Sequence, residues 1–351
     1  MAATGTTGRW VAAGIAVAGI VGLGLLAIPA GAGAAPELPP VTAEALVSSV
    51  LTAKPAAFGG TVVLDNNLGL PALPGLPQAA NGTSTARIWS DGTGKARAQV
   101  PSASGERTFV ADGTTFWSWD SSDKTVTKAA EGAERKPAAP EATTDPTAAA
   151  TQAIEKLRTT SEVSVDGTAE VAGRPAYDLV LTPAPTERTL LREVRIAVDS
   201  QTRMPLQLTV LANGSSDPAL QLGFSDLTFG TQDASLFTFT PPPGSTVTGP
   251  SAGDKPAKPE GLPAGAAKPT AVGDGWDTVL LASMPKPDTA APQQPGRGGA
   301  ADLSSLGTPV SGTWGSGRLV TTAVASAIIT DDGRIAIGAV PEQVLTAALS
   351  K

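Results

Sequence analysis

The clearest pattern along the chain is an aromatic and β-branched run that turns back on itself between residues 114 and 128. Trp117 and Trp119 are two positions apart, so on a strand both side chains point to one face while Phe116 points to the other. The polar cluster at residues 120–123 follows and predicts a turn between two paired strands. Because two of the six Trp share one face of one hairpin, we expect that face to lie near the centre of the protein.

Short, half-polar strands separated by Asp-Gly and Pro turn signals continue this pattern on both sides of the hairpin. No helical periodicity interrupts residues 83–128, which predicts an antiparallel meander, and a second meander is predicted over residues 162–240. About ten strands in one module are too many for a small flat sandwich layer. The predicted strands outside the hairpin are 58–64, 83–90, 94–100, 106–111, 162–165, 168–172, 175–181, 191–198, 204–211, 220–229 and 236–240.

Two amphipathic helices accompany the strands. The first covers residues 41–51, where Thr42 can cap the amino end and Leu46 and Val50 lie on the apolar side. The second begins at residues 145–146 with an Asp cap followed by Pro. Each pattern fits a helix packed on a sheet. Neither pattern distinguishes such a packed helix from a helix that forms a lid over a cavity.

A Leu- and Pro-rich loop follows the first strand and is predicted to be irregular. Its leucines alternate with Gly and Pro, and Pro at this density prevents pairing into a sheet. Internal packing is the commoner outcome for such side chains, but a lipid or a partner protein would also bury them. The four leucines are Leu68, Leu70, Leu73 and Leu76.

The amino-terminal residues 1–35 have the layout of a signal peptide or an amino-terminal membrane anchor. An uncharged apolar run at residues 10–28 is followed by a Pro and by two Ala-x-Ala cleavage sites. The run is long for a signal and close to the roughly 20 residues that cross a bilayer, so both alternatives stay open. Either one predicts an exported protein of the cell envelope, secreted or anchored.

Changes in composition divide the remaining chain into units. Residues 41–248 form the main module, residues 249–272 are a Pro/Ala/Gly linker, and residues 273–351 form a small carboxy-terminal unit. Three strands, at residues 276–281, 319–330 and 334–340, and a helix that begins at residues 341–342 are predicted in that last unit, the last two strands as a β-hairpin. They are few elements for an independent core, so we expect the unit to dock on the main module.

The composition restricts the chemistry. The chain has no His and no Cys, which removes His- and Cys-based catalysis, disulfides and most transition-metal sites. We therefore predict no enzyme, no metal and no cofactor, with a hydrolase built on two carboxylates as a remote alternative. The formal net charge is −7 with no basic stripe, which argues against a nucleic-acid partner.

Several motifs, taken in order, resemble the LolA-like superfamily of envelope proteins, which includes lipoprotein carriers and sensors of the RseB/MucB type. Within it the chain is most similar to exported actinobacterial proteins named outer-membrane lipoprotein-sorting proteins. It departs from the family pattern in lacking a Cys near its start and in carrying the carboxy-terminal unit. The motifs lie at residues 112–120 with 124–126, 165–168, 173–179, 196–199 with 205–206, 237–242 and 329–333.

The resemblance implies a mainly β (α+β) fold, in which a large curved antiparallel sheet forms an unclosed β-barrel with lid helices, and it brings no catalytic residues. We expect a monomer that binds lipid or lipoprotein acyl chains in an apolar cavity, as a carrier or a sensor. The alternative is an extracytoplasmic regulator that binds a membrane protein of the anti-sigma type. The candidate cavity residues are Leu46, Val50, Leu68, Leu70, Leu73, Leu76, Trp89, Phe109, Trp117 and Trp119.

Overall fold

A computed structural model describes residues 36–69, 81–102, 104–130, 146–249, 269–283 and 307–351. Within this part of the chain the protein is mainly β, and its largest feature is a twelve-stranded sheet that does not close into a barrel. The predicted fold class is therefore confirmed. The strands are β1 Phe58–Asn66, β2 Gly82–Ser90, β3 Ala96–Ser102, β4 Gly105–Ala111, β5 Thr115–Asp120, β6 Thr125–Ala130, β7 Ser161–Val171, β8 Arg174–Pro183, β9 Leu191–Asp199, β10 Pro205–Ala212, β11 Pro218–Phe229 and β12 Thr246–Thr248.

The two predicted meanders are joined at their centre by one long-range pairing. The strand order is β12-β6-β5-β4-β3-β2-β1-β11-β10-β9-β8-β7, so β1 pairs with both β2 and β11. All pairs except β12 with β6 are antiparallel. Because β1 carries both meanders, the two halves share one continuous sheet rather than forming two packed layers.

Two strand predictions are changed in detail by the structure. Residues 162–172 form the single strand β7, with an irregular register between Val165 and Thr168. The strand predicted at residues 236–240 is wrong, because Ala234–Phe237 is a 3-10 turn. Asp233 stabilises this turn, because its side chain accepts a hydrogen bond from the Ser235 amide at 2.9 Å. Such a local bond to the backbone competes with the hydrogen bonds of strand pairing.

Both predicted helices are present and pack together over one end of the sheet. Helix α1 covers Ala43–Thr52 and α2 covers Pro146–Arg158. The Thr42 hydroxyl accepts from the Ala45 amide at 3.2 Å, which is the expected amino-terminal cap. The helices contact each other and strand β7, so they cover the β7–β9 part of the sheet.

The carboxy-terminal unit contains six strands where three are predicted. Its six-stranded sheet has the order β13-β14-β18-β17-β16-β15, and helix α3, Glu342–Leu349, packs on one face. The strands at residues 270–272 and 308–312 escaped prediction because they are short and contain or adjoin Gly and Pro, and residues 319–330, predicted as one strand, belong to two strands. The strands are β13 Thr270–Val272, β14 Val279–Ser283, β15 Thr308–Gly312, β16 Gly315–Thr321, β17 Ser326–Thr330 and β18 Arg334–Gly338.

The carboxy-terminal unit touches the main module at the end of the sheet where β1 and β10 end and β9 begins. The Leu190 amide donates to the Ala339 carbonyl at 2.8 Å, and the Ala323 amide donates to the Leu68 carbonyl at 2.8 Å. Glu187 accepts the Trp276 amide at 2.8 Å. Strand β13 begins inside the residues predicted as a linker, and the exact domain boundaries stay a prediction.

The question of a membrane span concerns mainly the amino terminus. Across the described ranges, no helix is long and apolar enough to cross a bilayer. The apolar run at residues 10–28 lies outside those ranges.

Candidate functional site

The strand register sorts the side chains of the large sheet onto two faces of opposite character. Residues directly opposite each other in neighbouring strands share a face, and successive residues alternate. One row of such positions crosses six neighbouring strands from β1 to β7 and is entirely aliphatic. This apolar row consists of Leu64, Leu222, Leu208, Ile196, Leu179 and Val165.

The same face, which we call the apolar face, continues into strands β1 to β5. Ile88 lies opposite Ala98, which lies opposite Phe109. The Phe109 and Phe116 rings stack with their centroids 6.2 Å apart. The apolar face therefore extends across the sheet from β7 to β5.

Helices α1 and α2 close one part of the apolar face. Leu46 and Ile154 are fully buried and pack against Leu179 and the ring of Tyr177. Val50 packs against the same cluster from α1. This part is a core filled by side chains rather than an empty cavity, so Leu46 and Val50 hold the helices on the sheet.

Beyond the helices the described residues leave the apolar face open. Leu222 is 40% exposed and Phe116 is 41% exposed, although both are large apolar side chains in strands. Leu64, Leu208, Ile88 and Phe109 are half-buried around them. A contiguous apolar surface of this kind indicates a place where something apolar binds.

Trp117, Trp119 and Trp89 lie on the opposite face of the sheet. Trp117 is opposite Val110, which is opposite Arg97, which is opposite Trp89. This polar face also carries Thr61, Arg87, Gln99, Gln207, Thr209 and Gln221. These three Trp therefore lie on a different face from Phe109, Leu46 and Val50. The candidate cavity residues do not line one surface.

A segment that follows β11 covers Trp117 of the hairpin. We call residues 234–248 the strap. The Phe239 ring lies 5.5 Å from the Trp117 ring, and Arg97 donates to the Leu236 carbonyl at 3.2 Å. Val110 and Val126, on the same face, are fully buried. Trp117 therefore belongs to a small core beneath the strap.

The Trp117 indole also orders the turn that begins its own strand. Its Nε1 donates to Asp112 at 3.1 Å, and Asp112 further accepts the Thr114 and Thr115 amides at 2.9 and 2.8 Å. Burial raises the pKa of the Asp112 carboxyl, but these hydrogen bonds outweigh it and lower the pKa to about 2. Asp112 is thus an ionised turn residue.

Trp89 occupies a separate position on the polar face. Its ring lies over Gly59, where an added Cβ would come within 2.8 Å of it, and Arg87 lies 5.1 Å above the ring centroid. The shallow cavity beside it measures about 240 Å³ and is lined mainly by polar groups. This is not a site for an acyl chain, because its lining would leave polar groups unsatisfied.

Arg195 forms a cluster of ion pairs elsewhere on the polar face. Arg195 binds Glu193 at 2.9 Å and Asp178 at 3.1 Å. Burial raises the pKa of Asp178 while the hydrogen bond from Arg195 opposes it, and the bond to Glu193 raises the pKa of Arg195. Within the described ranges, no group of three or more His, Cys, Asp or Glu could hold a metal ion.

The Leu- and Pro-rich loop is described only at its start. Leu68 is half-buried, and its backbone meets the carboxy-terminal unit. Leu70, Leu73 and Leu76 lie outside the described residues, so their predicted role stays a prediction.

Sequence reasoning missed the residues that matter most on the open part of the apolar face. Leu222 lies in the alternation Leu220-Gln221-Leu222-Gly223-Phe224, which has the period of a half-buried strand. The sequence also puts Phe116 on the face opposite the two Trp, but the two Trp make the other face the more aromatic one. The strand alternation was the signal that could have found both.

Comparisons with known proteins give likenesses of structure alone. No protein-family model matches the chain, and no curated protein matches it. MucB in the Pseudomonas aeruginosa MucA/MucB complex is 16% identical over 87% of this chain and 94% of that chain, with a TM-score of 0.41. A LolA superfamily protein from Nitrosomonas europaea is 12% identical over 57% of this chain and 99% of its own, with a TM-score of 0.25.

A third solved structure is a putative outer membrane lipoprotein-sorting protein domain from Vibrio parahaemolyticus. It is 9% identical over 52% of this chain and 89% of that chain, with a TM-score of 0.21. The families that the sequence motifs indicate are thus among the matches. At these identities and TM-scores the likenesses say nothing about what the chain binds.

Proposed function

We propose that this protein binds lipid or lipoprotein acyl chains on the open part of the apolar face, as a carrier or sensor in the cell envelope. One observation carries the proposal. The apolar row runs from Leu179, which is 8% exposed beneath the helices, to Leu222, which is 40% exposed in the open sheet. An acyl chain laid along this row would bury aliphatic surface that the protein itself leaves in water, at about 25 cal/mol per Å².

The proposed role is non-enzymatic and extracytoplasmic. It needs a surface and no reacting group, which agrees with a sequence that has neither His nor Cys. The location rests on the residues 1–35 and their signal or anchor pattern. Amino-terminal sequencing of the mature protein would distinguish cleavage from retention.

The direct test is to isolate the protein from envelope extracts without detergent and to identify bound lipids by mass spectrometry. We expect acyl lipids to co-purify, and delipidated protein to bind a fluorescent acyl probe that palmitate displaces. If no lipid co-purifies and the delipidated protein binds no probe, the proposal is wrong.

A second candidate is binding of a membrane-anchored partner protein of the anti-sigma type. The observation that favours it is a pair of large apolar side chains on the carboxy-terminal sheet. Leu280 and Ile337 lie opposite each other and are 47% and 46% exposed. Exposed cross-strand pairs of this kind suit a protein interface.

Substituting one residue of this pair distinguishes the two candidate functions. I337D should abolish capture of a membrane protein from envelope extracts and leave binding of the acyl probe unchanged. Equal capture by wild type and I337D would exclude this pair as the partner site.

A further inference from the structure

The turn between β9 and β10 places an arginine on the core beneath the helices. The guanidinium carbon of Arg203 lies 5.2 Å from the ring centroid of Tyr177. Tyr177 is 6% exposed and belongs to the buried cluster that holds α1 and α2 on the sheet. Its hydroxyl donates to the Pro39 carbonyl at 3.0 Å, which fixes the ring. Arg203 therefore lies at the border between this core and solvent.

No anion of the described chain neutralises Arg203. The neighbouring carboxylate, Asp199, is fully buried and is occupied by Arg174, whose Nε and Nη2 donate to its two oxygens at 2.7 and 2.8 Å. Asp199 also accepts the amides of Gln201 and Thr202. The Nη1 of Arg203 is buried and has no hydrogen-bond partner among the described residues. Arg203 as a whole is half-buried, so its guanidinium is a cation at the surface without an acceptor in the described part of the chain, which favours the binding of an anion.

The position of Arg203 relative to the apolar row indicates what kind of molecule would carry the acceptor. Tyr177 lies two residues from Leu179 on strand β8 and therefore on the same face. At about 3.3 Å per residue, the ring beneath Arg203 is about 7 Å from the apolar row. The row residue nearest to it, Leu179, lies beneath the helices, and Leu208 in the open part is two strands further, about 10 Å at about 4.8 Å per strand. A hydrocarbon chain on the open part that points towards β8 thus directs its polar end towards Arg203.

We propose that Arg203 binds the anionic head of an amphiphile whose chain occupies the apolar face. The inference rests on the proposed function and adds the chemical class of the ligand. A carboxylate and a phosphate monoester share the required chemistry, because both offer oxygens to the parallel N–H groups of a guanidinium. Such a charge-assisted contact at a partly buried site discriminates strongly against a neutral head.

Another arginine of the same sheet supplies a matched control. Arg87 lies 5.1 Å over the Trp89 ring, much as Arg203 lies over Tyr177. It is on the polar face, away from the apolar row. R87Q therefore removes the same charge and the same kind of ring contact without touching the proposed head site.

The experiment compares three ligands of equal chain length with four forms of the protein. Palmitate, hexadecyl phosphate and hexadecanol are titrated into delipidated wild type, R203Q, R203K and R87Q. Wild type and R87Q should bind the anions about tenfold more tightly than the alcohol. R203Q should bind all three alike, and R203K should recover part of the preference. A preference for only one of the two anions also supports the proposal and identifies the head group.

The results that would overturn this inference can be told apart from those that would overturn the proposed function. Equal binding of the three ligands by wild type overturns the head site and leaves the acyl-binding function standing. The same holds if R203Q keeps the preference, or if R87Q loses as much of it as R203Q. Hexadecanol binding by R203Q shows that the variant is folded. Failure of wild type to bind any of the three ligands overturns both this inference and the proposed function.

Discussion

Replacing Leu222 by Ser should weaken acyl-chain binding by an amount that follows from its exposure. Full burial of a Leu side chain is worth about 1.5–3 kcal/mol. Because 40% of Leu222 is exposed in the free protein, a bound chain can gain about 0.6–1.2 kcal/mol from it. At about 1.4 kcal/mol per tenfold change, L222S should raise the Kd for palmitate about three- to sevenfold.

Leu280 provides the control for this substitution. It is also a strand leucine and is 47% exposed, but it lies on the carboxy-terminal sheet. Each Ser variant also loses the part of the side chain that is already buried, so both should lower the free energy of unfolding by about 1–2 kcal/mol. The two variants therefore match in stability and differ only in contact with the proposed ligand.

The assay is a calorimetric or fluorescence titration of palmitate at 25 °C, with urea unfolding measured on the same preparations. We expect a higher Kd for L222S and an unchanged Kd for L280S. If L222S binds as wild type does, or if both variants weaken equally, the open part of the apolar face is not the binding surface.

Three further predictions concern the fold that holds the site. D199A should lower the free energy of unfolding by about 3–5 kcal/mol in urea, because it leaves Arg174 without its buried partner; a loss below 1 kcal/mol would contradict this. Burial raises the pKa of Asp112, but hydrogen bonds led by that of Trp117 lower it from 3.8 to about 2, so its stabilising contribution is present above about pH 4 and is lost towards pH 2. Melting temperatures between pH 5 and 2 should accordingly fall less steeply for D112N than for wild type, and parallel curves would refute the reasoning. E187A removes the acceptor of two backbone amides in the carboxy-terminal unit, and hydrogen exchange should become faster in β14 while that of β3 stays unchanged.

Local structure was predictable wherever one short stretch determines it. The sequence predicts the hairpin of β5 and β6, its turn, and the opposite orientations of Trp117 and Phe116. Alternation and turn chemistry act within a few residues, so a short stretch is sufficient for these predictions. Helix α1 was predicted together with its Thr42 cap for the same reason. These predictions needed no knowledge of the rest of the chain.

The functional surface depends on pairings between distant residues, and those were not predictable. The apolar row exists because Leu64 lies opposite Leu222, about 160 residues later in the chain. The side of the hairpin that faces the strap is decided by Phe239, more than a hundred residues beyond Trp117. A single alternating strand reveals that its two faces differ, but not which partner each face meets.

The parallel pairing of β12 with β6 has a consequence for the behaviour of the protein in concentrated solution. An open sheet ends in strands whose free N–H and C=O groups can recruit another chain. Here the Thr246–Thr248 segment covers the edge of β6 and stops after three residues. It is too short to template a further strand of useful length. The strap therefore protects this edge of the open sheet from edge-to-edge aggregation, while the broad apolar face of the same sheet stays accessible.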